Sequence, residues 1–403
     1  MKRSNLFIAA VAIGLAACNK QQTVETEINV TLPEGPNGNE QFVGLIKNIE
    51  VLPLQTGDDY IYLDRADVYV GSRHIYCLYN EPHETLRLMC FDKASGTKTF
   101  ARPISGRGPG ECLGVECITG KNDSLILLDL QKGDAMIFNP QGRFVGKLNK
   151  ERLNVATLYP KSDGGYLAFN CDGRNIDGDS CVNVLDSQLN IVAADVSVPD
   201  WCRNVASSKH GHLESWYVVN DTLRYMFPYS HKLTAYPSGL TYNFISANPL
   251  SDAQKKSFED VDQFIEAEID GYESSFEEII ECGNIILFKY CVNDYDYRVA
   301  FDKTTHRVLT NMLPDSFSEN DVTPSILWSC LIHGMHFVAS DGQKLYAVAS
   351  LSQLKPLTKY KHQLDARLAK FYNDIQATLA ANAEGEVDDF SFMFTIELAK
   401  HIN

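Results

Sequence analysis

What this 403-residue chain lacks narrows its chemistry before any element is placed. It has no Gly-x-Ser-x-Gly elbow, no P-loop and no Rossmann fingerprint, so three large enzyme classes lose their usual signatures. The Ser-x-Asp-x-Gly-x-x-Trp repeat of sialidases is absent too; Ser162-Asp163-Gly164-Gly165 is only a fragment of it. Eleven cysteines include no Cys-x-x-Cys and no Cys/His cluster at zinc spacing. Basic residues are scarce, 36 against 52 acids, giving a net charge of −16. Such a surface repels phosphate backbones, so nucleic acid is not an expected partner. Beyond the first 18 residues no apolar run is long enough to cross a membrane as a helix. No low-complexity block is present, and 44% hydrophobic content is ample for a core.

The N-terminus carries the most specific signal. Met1-Lys2-Arg3 is a basic start, and Leu6 to Ala17 is an apolar stretch ending in small residues. That is the design of a secretory signal, predicted over residues 1–17. Its end, Leu15-Ala16-Ala17-Cys18, resembles the bacterial lipobox, whose cysteine is acylated and becomes the mature N-terminus. Cys18 is thus the expected lipid attachment and residues 18–27 a polar tether, with the membrane as a partner through acyl chains. The cell envelope, at the outer membrane, is the expected location. Asn19-Lys20-Gln21-Gln22 precedes the acids Glu25 and Glu27, which leaves the periplasmic or surface face open.

In an oxidising compartment the ten remaining cysteines could pair. Spacing suggests Cys77 with Cys90, Cys171 with Cys181, and Cys112 with Cys117; buried thiols packing as small hydrophobes are the alternative.

The body repeats itself. Four segments read as a β-run, a turn opened by Asp or Asn, and a second β-run; they centre on Asp92, Asn139, Asp186 and Asp302. The first three are evenly spaced, and the last interval holds extra residues. Ser251 to Ile269 accounts for the surplus, with Phe258, Val261, Phe264, Ile265 and Ile269 on one helical face. Alternation at two, with several strands per repeat, points to an all-β fold, a six-bladed β-propeller. The blades are expected near Tyr69–Phe100, Leu125–Leu148, Tyr166–Val196, Trp216–Phe244, Ile279–Leu309 and Ile326–Ala349. Phe42 to Leu54 reads as a strand, 363–382 as a C-terminal helix, and 389–397 as a closing strand that would remove an open edge.

Between the first two repeats lies Ile104-Ser105-Gly106-Arg107-Gly108-Pro109-Gly110-Glu111, too rich in glycine for a helix or strand interior. With this element, Ile137 to Phe144, Asn220-Asp221-Thr222-Leu223-Arg224 and the lipobox, the chain resembles the six-bladed β-propeller lipoproteins of Gram-negative gut anaerobes. Leu223-Arg224 stands where that pattern has isoleucine and tyrosine. The resemblance implies fold and location more than activity.

Candidate sites follow from residue chemistry. Arg107 and Glu111 would either line a ligand site, or pair with each other or cap neighbouring backbone groups at a blade junction. Asp172, Asn175, Asp177 and Asp179 could gather oxygens around Ca²⁺, although Arg174 interrupts them and such residues are common in turns. No other cofactor is expected. His210, His212, His333 and His336 could meet across a ring, while Trp201, Trp216, Trp328, Tyr295 and Tyr297 offer stacking faces or blade-interface filling. Two functions fit: a non-catalytic binding module for a glycan, peptide or envelope protein, or a hydrolase or lyase with site residues scattered around the channel mouth.

Overall fold

The turn signals become real Asx turns. In the computed structural model, Asp92 Oδ1 accepts from the amides of Ala94 and Ser95, and Asn139 Oδ1 from Gln141 and Arg143. Asp186 and Asp302 repeat the device with Gln188 and Asn190, and with Thr304 and Thr305. Each joins the third and fourth strands of a four-stranded antiparallel sheet. The structure describes residues 27–402 apart from 82–84, 150–156, 170–179, 200–215, 246–250, 252–275 except 253 and 256, 313–321, 351–353, 382–390, and positions 34, 36, 58, 60, 62, 64, 65, 122, 130, 228, 229, 293 and 294.

Six such sheets form the ring. Blade 1 comprises Asp67–Val70, His74–Glu81, Thr85–Asp92 and Lys98–Pro103; blade 2 comprises Cys117–Lys121, Ser124–Asp129, Asp134–Phe138 and Phe144–Asn149. Blade 3 holds Tyr159–Pro160, Tyr166–Phe169, Ser180–Leu185 and Ile191–Ser197. Blade 4 holds Trp216–Val219, Thr222–Tyr225, Lys232–Tyr236 and Thr241–Ile245, with Glu27–Thr31 added in parallel at its outer edge. Blade 5 runs Glu277–Cys282, Ile285–Val292, Tyr295–Asp302 and Val308–Met312. Blade 6 takes His336–Ser340, Lys344–Ser350 and Ser391–Leu398 from late in the chain, and Ile46–Pro53 from its beginning as the outer strand. This exchange ties the ring shut and pairs the closing strand on both edges.

Strand alternation supplies the core. Each blade shows one apolar face to each neighbour, so hydrophobic clusters form between adjacent blades: Phe91 with Tyr346 and Met393, Leu88 with Phe138, Leu128 with Tyr166, Phe169 with Tyr225, Phe244 with Phe301, and Leu287 with Phe394. Burying a ring as completely as Phe91 or Phe301 contributes about 1.5–3 kcal/mol. Polar clasps reinforce the junctions at the turns. Asp123 of blade 2 accepts from Ser72 Oγ at 2.5 Å and the Arg73 amide at 2.8 Å, and Asp221 of blade 4 accepts from the Ser162 amide at 2.9 Å. Both aspartates sit at positive φ, 60° and 59°.

Two expectations need correction. Residues Asn39–Leu45 are a helix that buries Phe42, Val43 and Leu45, and the strand starts only at Ile46. Ile326 lies in a second helix, Pro324–His333, capped by Thr323, and blade 6 begins at His336. Both segments are apolar enough to read as strands; at Pro324–His333 the Thr323 side-chain cap and the Pro at the helix start favour helix, whereas Asn39–Leu45 has no side-chain cap and is held by burial of Phe42, Val43 and Leu45. The C-terminal helix spans Ala366–Ala381, burying Leu368, Phe371 and Ile375, and the closing strand follows at Ser391–Leu398. The helical insertion at 251–270 lies almost entirely outside the described residues.

Candidate functional site

The first strand of every blade faces the ring axis, and together these strands enclose a central channel of about 560 Å³. All six run in one sense, because each is reached by a connection from the previous blade's outer strand. The channel mouth where they begin is therefore built from one residue per blade. In ring order these are Asp67, Glu116, Tyr159, Trp216, Glu278 and His336, all lining the cavity. The ring divides into an aromatic side, where Tyr159 and Trp216 meet edge to face at 5.2 Å, and an acidic side carrying Asp67, Glu116 and Glu278.

Glu278 is placed by backbone distortion. The pairing of blade 5's inner strand shifts between Glu277 and Ile280, a bulge, and Glu278 takes φ 51°. A non-glycine residue at positive φ in a strand is disfavoured, and bulges re-aim side chains. Here the carboxylate meets the Arg298 guanidinium, whose side chain is only 7% exposed, and lies 3.4 Å from His336 Nδ1. Arg298 also donates to the Met335 carbonyl at 3.1 Å and lies over the Phe337 ring. Burial pushes the Glu278 carboxyl up, but hydrogen bonding from His336 and the Arg298 charge outweigh it and hold it down at about 2.

A second buried carboxylate stiffens the wall. Glu281 accepts from Arg224 Nε at 2.6 Å, Tyr217 Oη at 2.9 Å and Lys303 Nζ at 2.6 Å. Burial first, then the Glu281 charge, pushes the Tyr217 phenol well above its ordinary range, so it stays protonated and keeps donating. Among the described residues, no three His, Cys, Asp or Glu side chains come together as a metal ion would require.

A family described as a 6-bladed β-propeller, DUF5128, matches residues 19–340. The chain belongs to this family. A solved protein from Bacteroides fragilis NCTC 9343, exported by its name only, shares the fold, with 15% identity over 93% of this chain and 100% of its own, at a TM-score of 0.66. A DUF4221 member from Bacteroides vulgatus ATCC 8482 aligns over 88% of this chain and 98% of its own at 10% identity and a TM-score of 0.49. Streptogramin B lyase aligns over 68% and 76% at 10% identity and a TM-score of 0.37, a likeness that carries no functional weight. No curated protein matches the chain.

Within this propeller the Gly106–Glu111 element does bridge blades 1 and 2, closed by Gly106 N–H donating to the Cys112 carbonyl at 2.8 Å. Glu111 turns inward: its Oε2 accepts from the Gly108 amide at 2.6 Å, and its carbonyl accepts from Lys132 Nζ at 2.6 Å. A Cβ at Gly108 would meet that carboxylate at 2.9 Å, and one at Gly110 would strike Phe144 of blade 2 at 2.7 Å. Arg107 is exposed, and neither it nor Glu111 lines the channel; of the two junction roles, Glu111 caps a backbone amide and the Arg107–Glu111 pair is not formed. The bond between Cys77 and Cys90 is also corrected. Cys77 is level with Met89 and Cys90 with Tyr76, so the two thiols point to opposite faces, into the blade 6/1 and 1/2 interfaces. Cys112 is a thiol in the blade 1/2 cluster while Cys117 packs in the 2/3 cluster, so these two are not joined either.

Cys18, Cys171, Asp172, Asn175, Asp177, Asp179, His210, His212 and Trp201 lie outside the described residues. Cys181 is buried between blades 3 and 4. His333 and His336 are separated in role: His333 ends a helix against the Asn311 carbonyl, and His336 reaches the mouth. Of the aromatics, Trp216 lines the channel, Tyr297 is buried, and Trp328 is buried with Nε1 donating to Asp365 at 2.8 Å. The side chain of Tyr295 is likewise outside the description. Asp67, Glu116, Tyr159, Glu278, Glu281 and Arg298 were not singled out from sequence. Only Arg298, a charge inside the apolar run Tyr297 to Phe301, gave a local signal.

Proposed function

We propose that this propeller is an exported, lipid-anchored binding module whose channel mouth takes a neutral or amine-bearing saccharide. The observation that carries this reading is the mouth ring itself, one residue per blade with an aromatic side and an acidic side. Tyr159 and Trp216 offer apolar faces for sugar rings, and the carboxylates around the rest of the ring accept hydroxyl or ammonium hydrogens while repelling uronates and sulfates. A cavity of about 560 Å³ is the size of an ordinary small-ligand site. Anchoring at Cys18 is supported by the lipobox-like Leu15-Ala16-Ala17-Cys18, and export by that same leader and by the likeness to a Bacteroides fragilis protein named as exported.

A hydrolase or lyase at the same mouth would need a carboxyl that exchanges its proton near neutral pH. Glu278, held ionised by His336 and Arg298, is not such a proton donor. The test is calorimetric titration with neutral, amine-bearing and sulfated oligosaccharides, with peptides as a comparison. Neutral or amine-bearing sugars should bind one per chain and be recovered intact, with Trp216→Ala weakening them at least tenfold. Preference for sulfated sugars or peptides, or release of a cleaved product, would overturn the reading.

A further inference from the structure

Because Glu27–Thr31 pairs in parallel with Thr241–Ile245, it fixes which end of the ring the N-terminus approaches. Inner strands start at the mouth, and neighbouring strands within a blade alternate in direction, so each fourth strand starts on the opposite face, where the Asx turns lie. Glu27 stands level with Thr241 at that turn face, and Thr31 with Ile245 toward the mouth. Residues 19–26 reach at most about 30 Å from Cys18. Bringing the mouth to the membrane would use more than half of that reach in climbing back along the five-residue strand, about 17 Å.

We infer that the turn face lies against the lipid surface and that the mouth ring opens away from it, a proposal that rests on acylation at Cys18. The turn face suits that position. Arg143 is exposed there, while Arg73 is paired with Asp123 and Lys344 with Glu50, among the aspartates of the turns. Val145 and Val192, 59% and 62% exposed, sit near the turn-face ends of their outer strands. A membrane surface tolerates the two valines, and the paired charges leave that face without a large excess of either sign. The ligand is therefore met on the aqueous side, at the far end of the ring from the bilayer.

Positions 143 and 107 test the orientation, since both are exposed and flank the same blades on opposite faces. Full-length acylated protein carrying Arg143→Cys or Arg107→Cys, with a donor dye, is placed on vesicles of phosphatidylethanolamine and phosphatidylglycerol bearing a rhodamine headgroup acceptor. Dye taken up by the parent chain is subtracted. Quenching at 143 should exceed that at 107 at least threefold, and equal or reversed quenching in acylated protein would overturn the orientation alone. A mature N-terminal peptide without lipid, or unchanged membrane attachment of Cys18→Ala, would overturn the anchor and the orientation with it. Hydrogen exchange of the unsubstituted protein gives the same answer without labels: amides near 141–143 should be slowed on vesicles and those at 106–110 unchanged.

Discussion

Glu278 concentrates the residue-scale energetics. Its folded carboxyl titrates at about 2 against an ordinary 4.5, so its contribution to stability is complete above about pH 4.5 and is lost as pH falls toward 2. That contribution is on the order of 3 kcal/mol, from the linkage between pKa and folding. Urea titrations from pH 6 to 2.5 should therefore show a steeper acid loss in the parent than in Glu278→Gln; identical slopes would remove the ion pair from the account. The bridge makes a paired prediction. Glu111→Ala should cost about 1–3 kcal/mol, because the Gly108 amide loses its acceptor, while Arg107→Ala should stay within about 0.5 kcal/mol. Thermal unfolding of the two variants decides it, and equal losses would restore a role for Arg107. The glycines of this bridge were legible in the sequence, since φ of 141° at Gly106 and 74° at Gly110 is what glycine permits. Which partner Glu111 takes, Arg107 or a backbone amide, was left open, because the sequence does not say which way a carboxylate turns. Arg224 teaches the same lesson: only the fold brings it to Glu281 across 57 residues.

At the scale of elements, the hairpins were readable because each carries its own signal. Asp92, Asn139, Asp186 and Asp302 bond to amides two to four residues ahead, a contact the local sequence encodes completely. The helices at Asn39–Leu45 and Pro324–His333 were missed because their apolar residues also suit a buried strand, and their packing partners are distant in sequence. The closing strand tests the element account. Ser391–Leu398 lies between Lys344–Ser350 and Ile46–Pro53, so a chain ending at Ala381 leaves both without their partner. Such a chain should lose its cooperative melt and be cut rapidly by trypsin; a parental melt would contradict closure through blade 6.

For the whole molecule, the count of six followed from a regular period, and the six inter-blade clusters are its physical counterpart. The mouth could not be read in advance, because a ring samples one position per blade and scatters its site from Asp67 to His336. Closing the ring is what turns isolated charges and aromatics into an aromatic side and an acidic one. Where a bound sugar sits is thus the most direct measurement of this account. A crystal structure of the protein with a neutral oligosaccharide should show a sugar ring against Tyr159 or Trp216 and hydroxyls within hydrogen-bonding distance of Asp67, Glu116 or Glu278. An intact sugar bound away from the mouth, or a cleaved one at it, would contradict the proposal.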